Sequence, residues 1–173
     1  MGITVRRIPE QLSWANFIFV PLVINPNDGT EQAAFTTFSF DILDPAPRSV
    51  DGQLALAESF EIVVTPRARA KLGGPKTGEL LAHQRFYYEL GFVVGREVAR
   101  ALTTLRGADE KELTATRWNV IQLHFIFRAG LIQRRYDLDT RHGTVGYDQE
   151  VWNLRMSTCL SDPESNQIGG FLL

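Results

Sequence analysis

The most informative part of the sequence lies near the middle of the chain and reads Leu80-Leu81-Ala82-His83-Gln84-Arg85-Phe86-Tyr87-Tyr88-Glu89-Leu90. Apolar residues recur at helical spacing from residue 80 to residue 105, which predicts the longest helix of the chain. Side chains four residues apart lie on the same face of a helix, so His83 and Tyr87 are expected to point the same way.

This spacing matches part of a metal-binding pattern. In a His-Glu-x-x-His helix of a zinc peptidase, the two histidines hold the metal and the glutamate acts as general base. Here Gln84 stands where the glutamate would be, and Tyr87 stands where the second histidine would be. Because an amide does not accept a proton at ordinary pH, we predict no catalytic residue in this chain.

Composition excludes several classes of protein. A chain of 173 residues with 44% apolar and 22% charged residues is typical of one globular domain. The net charge is −2 and the basic residues are dispersed, so no nucleic-acid partner is expected. No apolar stretch is long enough to span a bilayer, so no membrane partner is expected.

Two features bear on the compartment. Cys159 is the single cysteine, which excludes an intrachain disulfide and fits a reducing environment. The first residues, 1–9, lack the apolar core of a secretion signal. We therefore expect a cytoplasmic protein, while a secreted or particle-associated location stays open.

Two strands are predicted in the first half of the chain. Residues 33–43 and 59–65 alternate apolar and polar side chains, as half-buried strands do. No crossover helix lies between them, so antiparallel pairing is the simplest topology. The basic stretch Arg67–Lys71 is expected to be a solvated loop or the start of a helix.

A second long helix is predicted from Asp109 to about Arg134, followed by a loop over residues 136–144 and a short helix over residues 147–156. The second helix carries two apolar sides, which indicates burial on both sides or a contact between subunits. Two long helices with a short link are expected to pack as an antiparallel hairpin.

Together these elements predict an α+β fold: a small N-terminal antiparallel β-sheet, then a long helical hairpin, then a short C-terminal helix. One domain is expected over residues 1–160, with a strand-rich half at 1–70 and a helical half at 76–156. Residues 161–173 are expected to form a flexible tail. Its apolar tip, Phe171, Leu172 and Leu173, is either a frayed end or an interaction site that docks on a partner subunit.

Three ordered motifs resemble a bacterial family of secreted zinc-dependent proteases, which began as a domain of unknown function. The matches are Leu12-Ser13-Trp14-Ala15-Asn16-Phe17, Leu80-Leu81-Ala82-His83-Gln84-Arg85-Phe86-Tyr87, and Tyr136-Asp137-Leu138-Asp139-Thr140-Arg141-His142-Gly143 followed by Gln149 and Trp152. The resemblance implies a zincin-like fold with His83 as the first zinc ligand and His142 as the third. It also implies that Tyr87 replaces the second ligand and Gln84 replaces the general base.

Two interpretations of His83, Tyr87 and His142 follow. They form either a metal site, with zinc as the possible cofactor, or a packed interior in which the histidines bond Tyr87 and nearby carboxylates. Asp137 and Asp139 could complete a metal site, although Asp137 is favoured as a residue that caps or orients the loop. A phenol with a reference pKa of about 10 is a poor zinc ligand, which favours the packed interior with no cofactor.

The function we expect is therefore non-enzymatic. A zincin-like domain that has lost catalysis would serve as a structural or interaction protein, in a homo-oligomer or a larger assembly. The alternatives are a metal-dependent hydrolase with an altered ligand set and a small-ligand binding module that uses the old cleft.

Overall fold

The computed structural model describes residues 3–43 and 46–173. The strands are β1 (Thr4–Arg7), β2 (Phe17–Val20), β3 (Ala34–Leu43), β4 (Arg48–Val50), β5 (Gln53–Ala55), β6 (Glu61–Lys71), β7 (Gln167–Ile168) and β8 (Phe171–Leu172). The helices are α1 (Gly78–Thr104), α2 (Glu110–Ile121), α3 (Ala129–Thr140) and α4 (Gly146–Ser161). A 3-10 turn covers Trp14–Asn16, and a π-helical segment, Gln122–Arg128, joins α2 to α3.

The main sheet is built around β6. Strand β3 pairs antiparallel with one edge of β6 along residues 34–43, and β1 and β2 both pair parallel with the other edge. The fold is thus mixed α/β with strands in the N-terminal part, but the expectation of a purely antiparallel sheet is wrong. That expectation considered only consecutive strands. Strand β3 lies between β2 and β6 in the sequence and runs opposite to both, so β2 can lie parallel to β6 without a crossover helix.

The basic stretch Arg67–Lys71 was expected to be a loop or the start of a helix, and this is wrong. It is the second half of β6, in which Ala68 and Ala70 are buried while Arg67 and Arg69 are exposed. The alternation of small and charged residues is the period of a half-buried strand. Arginine stems tolerate the outer face of a sheet because their charged heads stay in water.

Helix α1 lies against one face of the sheet. Thr77 caps its first turn by accepting a hydrogen bond from the main-chain N–H of Leu80. A Cβ atom placed on Gly91 would lie 2.7 Å from Cδ1 of Phe38, so the Phe38 ring sits directly on this glycine. The lack of a side chain at Gly91 thus allows an aromatic ring of β3 to approach the helix closely.

The second helical stretch is longer than expected. It is continuous from Glu110 through the π segment to Thr140, so it ends six residues beyond the predicted Arg134. Asp109 caps its first turn, since its carboxylate accepts a hydrogen bond from the main-chain N–H of Glu112. The predicted loop at 136–144 is accordingly shortened to a turn in which Arg141 and His142 adopt positive φ angles.

The C-terminal part differs from its expected form as well. Helix α4 extends to Ser161 rather than to residue 156, and β7 and β8 then form a hairpin in place of the expected flexible tail. Leu173 is fully buried in the core of its own chain, whereas Leu172 is 55% exposed. A partner that docked on Phe171, Leu172 and Leu173, as predicted, would therefore find little exposed apolar surface other than that of Leu172.

Polar groups fix this end of the chain. The main-chain carbonyl oxygen of Leu173 lies 2.9 Å from Nδ1 of His124 and 2.7 Å from Nη1 of Arg128. His124 is thus a buried histidine with a hydrogen-bond partner in the core. Over residues 3–43 and 46–173, no helix has both the length and the apolar composition that crossing a membrane requires.

Candidate functional site

The predicted site residues meet where α1 begins and α3 ends. His83 and Tyr87 lie on the second and third turns of α1, and His142 lies in the turn after α3. Asp137, in the last turn of α3, lies between them. Its Oδ1 atom is 3.7 Å from Nε2 of His83 and 3.5 Å from Nδ1 of His142. The structure thus brings His83, Tyr87 and His142 together around one carboxylate.

His83 is buried, with 3% of its surface exposed. Its Nδ1 atom lies 3.0 Å from Oε1 of Gln149, and Nε2 of Gln149 donates to Oδ1 of Asn153 at 2.8 Å. This orientation of the amide directs an acceptor at His83, so Nδ1 carries the proton and Nε2 carries the lone pair. Burial lowers the pKa of His83 to about 4, so the imidazole is neutral at ordinary pH.

Tyr87 occupies the space next to that lone pair. Its hydroxyl oxygen lies 3.1 Å from Nε2 of His83 and also forms a hydrogen bond with Oδ1 of Asp137. The single hydroxyl proton is therefore held between an imidazole and a carboxylate. Burial, and then the negative charge of Asp137, raise the pKa of Tyr87 far above its ordinary value. The phenolate that would bind a metal is thus disfavoured.

Asp137 does more than orient the loop, the role for which the sequence favoured it. Burial raises the pKa of its carboxyl group, while the hydrogen bond from Tyr87 and the nearby imidazole of His142 act against that rise. A carboxylate in this setting is stabilised only through its partners. Asp137 is therefore the residue that connects Tyr87, His83 and His142.

His142 is the exposed member of the group, with 38% of its side chain accessible. Its Nε2 atom lies 3.7 Å from Oδ2 of Asp28, which belongs to the loop between β2 and β3. Hydrogen bonds from the side chain and main chain of Thr30 lower the pKa of Asp28. Sequence reasoning missed Asp28, because it lies in an ordinary turn signal and nothing in its neighbourhood links it to residue 142.

Gln84 lies beside the site but faces the sheet. It is buried, and its Nε2 atom donates to the main-chain oxygen of Ala34 at 3.3 Å. Its Oε1 atom has no hydrogen-bond partner within residues 3–43 and 46–173. A cleft of about 320 Å³ opens here between residues 32–34 and the first turns of α1, lined also by His83 and His142.

An aromatic cluster packs against the buried side of the site. The ring of Tyr136 stacks on His83, with ring centroids 4.8 Å apart, and on Phe86, with centroids 3.8 Å apart. Trp152 packs edge-on against both Phe86 and Tyr136 and donates its indole N–H to Asp139. Gln149 and Trp152, which the resemblance singled out, thus hold His83 and its neighbours in place from α4.

The donors do not fit a zinc ion as they stand. The lone pair of His83 is covered by the Tyr87 hydroxyl, and the raised pKa of Tyr87 opposes a phenolate ligand. In the part of the chain that the structure describes, no three His, Cys, Asp or Glu side chains are arranged to hold a metal ion. We therefore derive no chemical step through a metal.

Comparison of the chain with protein-family models, with curated proteins and with solved structures finds no match. The zincin-like family therefore remains an interpretation of the three ordered motifs. The geometry of the site is therefore the source of information on function.

Proposed function

We propose that this chain is a non-catalytic structural or interaction protein on a zincin-like frame, acting in a homo-oligomer or a larger assembly. The observation that carries the proposal is the position of the Tyr87 hydroxyl, between Nε2 of His83 and Oδ1 of Asp137. In a zinc peptidase the corresponding helix position supplies the second ligand. Here the same position closes the site with a neutral hydrogen-bonding group.

The second support is that an amide occupies the position at which the His-Glu-x-x-His pattern has its general base. Hydrolysis by a metal-bound water needs a group that accepts a proton from that water. Gln84 is bonded to the main chain of β3 and, as an amide, does not take up a proton. Glu89 is the next acidic residue along α1, and its Oε1 atom lies 3.9 Å from Nη1 of Arg7. It projects from the side of the helix away from His83. Turnover by this site is therefore disfavoured.

The third support is what the network does in its present form. It joins α1 through His83 and Tyr87, α3 through Asp137, and α4 through Gln149. A buried hydrogen bond contributes about 1 kcal/mol, and loss of one partner costs about 1–3 kcal/mol because the other is left unsatisfied. Such a set of bonds stabilises one arrangement of the helices, which is a structural task.

One observation favours the metal-dependent hydrolase as a second candidate. Two imidazoles converge on the same oxygen of Asp137, at 3.5 and 3.7 Å. A different observation favours the small-ligand module. Oε1 of Gln84 lies buried beside the 320 Å³ cleft without a hydrogen-bond partner in the described residues.

Metal analysis of protein purified without added zinc separates these functions. We expect well below one metal ion per chain and no chelator-sensitive cleavage of a casein substrate. One zinc per chain, lost in both His83→Ala and His142→Ala, would overturn the proposal in favour of the hydrolase. His142→Ala is the cleaner variant, because its side chain is partly exposed and its removal leaves no cavity. A small molecule retained in native mass spectra, and lost in Gln84→Ala, would favour the ligand module instead.

A further inference from the structure

A cavity of about 280 Å³ lies on the face of the sheet that is turned away from α1. Strands β3 and β6 form its floor through Phe35, Thr37, Arg67 and Arg69. Successive side chains of a strand alternate between faces, so Phe35 and Thr37 lie opposite to Phe38, which packs on α1. The cavity shares no lining residue with the cleft of the candidate functional site, so it is a separate place on the molecule.

The floor of the cavity carries two neighbouring positive charges. Arg67 and Arg69 are two residues apart on β6, so both side chains leave the same face of the sheet, with their Cα atoms about 7 Å apart. The register places Thr37 opposite Arg67 and Phe35 opposite Arg69, and neither neighbour is acidic. Like charges at this distance repel each other, and an anion bound between them relieves the repulsion.

Other basic side chains of the molecule already have partners. Lys71, the next outward-facing residue of β6, is paired with Glu31 at 2.5 Å. Arg96, which borders a different cavity, donates to a main-chain oxygen atom at the end of α4. Arg67 and Arg69 make no ion pair or hydrogen bond of this kind within residues 3–43 and 46–173. Their guanidinium groups are therefore available to a ligand.

The remaining walls of the cavity are apolar. Phe35 contributes one of them, and the loop after β2 contributes Leu22, Val23, Ile24 and Pro26. Val23 is buried, whereas Leu22 and Ile24 are 54% and 45% exposed. A ligand with an apolar body would remove part of this exposed surface from water, which favours binding.

The loop that forms the wall is held in place by its own hydrogen bonds. Asn25 is buried, and its main-chain N–H donates to the carbonyl oxygen of Thr30 at 2.9 Å. Its Oδ1 atom accepts from the main-chain N–H of Asn27 at 2.9 Å. The carbonyl oxygen of Val23 accepts from the main-chain N–H of Gln32 at 3.0 Å. Because the wall is already ordered, a ligand that binds here loses little affinity to the ordering of the loop.

We propose that this cavity binds a small carboxylate with an apolar body. The carboxylate lies between the guanidinium groups of Arg67 and Arg69, and Thr37 adds a hydroxyl donor. The body packs against Phe35 and the apolar side chains of the loop. An inorganic anion would pair with the arginines but would leave these walls in water.

The volume of the cavity limits the size of the ligand. One water molecule occupies about 30 Å³ of the liquid, so 280 Å³ corresponds to roughly nine non-hydrogen atoms. A medium-chain fatty acid or an arylalkanoic acid has this size and this chemistry. The inference goes beyond the proposed structural role and does not depend on it.

The test is isothermal titration calorimetry of the full chain with three probes. Octanoate carries both the charge and the apolar body, octanamide keeps the body without the charge, and acetate keeps the charge with almost no body. We expect one octanoate per chain, bound at least tenfold more tightly than octanamide or acetate.

Paired substitutions locate the binding site. Arg67→Gln with Arg69→Gln is expected to weaken octanoate binding by at least tenfold and to leave the weak binding of octanamide unchanged. The matched control is Lys111→Gln with Arg134→Gln, which removes two exposed positive charges outside the cavity. Each pair takes the net charge from −2 to −4, so the control should bind octanoate like the wild type. All four residues are exposed, so the midpoint of urea unfolding should not change.

Four results would overturn the proposal. Octanoate that binds no more tightly than octanamide or acetate would show that the cavity does not recognise the combination of charge and apolar body. Binding that survives Arg67→Gln with Arg69→Gln would place the ligand elsewhere. Equal weakening in the control pair would attribute binding to the net charge. A chain that does not bind octanoate but sediments with phosphatidylserine vesicles, and does so less after both arginine substitutions, would assign the arginines to a lipid surface.

Discussion

The hydroxyl oxygen of Tyr87 lies 3.1 Å from Nε2 of His83, one helical turn earlier on α1. Nδ1 of the same imidazole faces the amide oxygen of Gln149, so Nε2 is the atom with the free electron pair. A metal would need that pair, and the Tyr87 hydroxyl, which donates its proton to Asp137, occupies the space next to it. The residues at positions 84 and 87 thus distinguish this helix from a His-Glu-x-x-His zinc-binding helix.

Introducing the glutamate and histidine of that pattern is expected to create a zinc site. Gln84→Glu combined with Tyr87→His removes the phenol from Nε2 of His83 and supplies a second imidazole at the spacing that zinc prefers. Because His142 already lies on the same side of Asp137, we expect about one zinc per chain after dialysis, measured by plasma mass spectrometry. The matched control, Gln84→Glu with Tyr87→Phe, uncovers His83 but adds no ligand and should bind little zinc. Equal zinc in both variants would contradict the argument.

The stability of the protein should depend on pH through His83. Its pKa is about 4 in the folded chain and about 6.5 when unfolded, so the unfolded chain binds the proton more readily between these values. The contribution is full above pH 6.5, and up to about 3 kcal/mol of the free energy of unfolding is lost as the pH falls to 4.

Urea unfolding at pH 7, 5.5 and 4 measures this dependence. His83→Gln is the control, because glutamine retains hydrogen-bonding groups and does not titrate. In the variant, the free energy of unfolding should therefore fall less steeply between pH 7 and pH 4. Asp137, whose raised pKa acts in the opposite direction, is present in both proteins. An unchanged slope would show that His83 is not held neutral.

Gly91 is expected to resist substitution. A methyl group there would lie 2.7 Å from Cδ1 of Phe38, and neither the helix nor the ring can retreat without disturbing the core. Gly91→Ala should therefore lower the free energy of unfolding by about 1–3 kcal/mol, in spite of the better helix propensity of alanine. Gly78→Ala, at the open start of the same helix, meets nothing within 4 Å and should be neutral or stabilising. Equal effects at the two positions would argue against the packing described.

Leu173 is expected to act on stability within its own chain. It is fully buried, so Leu173→Ala should cost about 2–5 kcal/mol by chemical denaturation. Leu172→Ala, at a neighbouring position that is 55% exposed, should cost less than about 0.5 kcal/mol. If instead Leu172→Ala lowers the oligomer mass and Leu173→Ala has no effect on unfolding, the tip docks on a partner as the sequence suggested.

Sequence patterns predicted elements well where one face of an element is buried. The alternation of Phe38, Phe40 and Ile42 predicted β3, and the apolar residues at helical spacing predicted α1. The same patterns do not contain pairing direction, because a strand looks alike beside a parallel or an antiparallel neighbour. The second half of β6 was missed for a related reason, since Ala68 and Ala70 bury too little surface to stand out among arginines.

The sequence predicted the site residues that lie on one helix, but it did not predict their contacts with residues from other elements. His83 and Tyr87 follow from helical spacing, and His142 from the resemblance. The sequence showed Asp137 as an acidic residue near His142, but not its position between two imidazoles. That position depends on the length of the second helical stretch, which includes a π segment that the apolar periodicity does not indicate. Asp28 comes from a loop more than 100 residues away in sequence from His142, so only the tertiary fold brings them together.

The central strand of the sheet is also the last of its four strands in the sequence. Strands β1, β2 and β3 are all synthesised before β6, and within the described residues each pairs with β6 alone. A growing chain on the ribosome therefore holds three unpaired strands until residues 61–71 emerge, and the four-stranded sheet can form only after that. Such long-range pairing is slow and exposes strand edges to neighbouring chains, so we expect this protein to be most prone to aggregation during its synthesis.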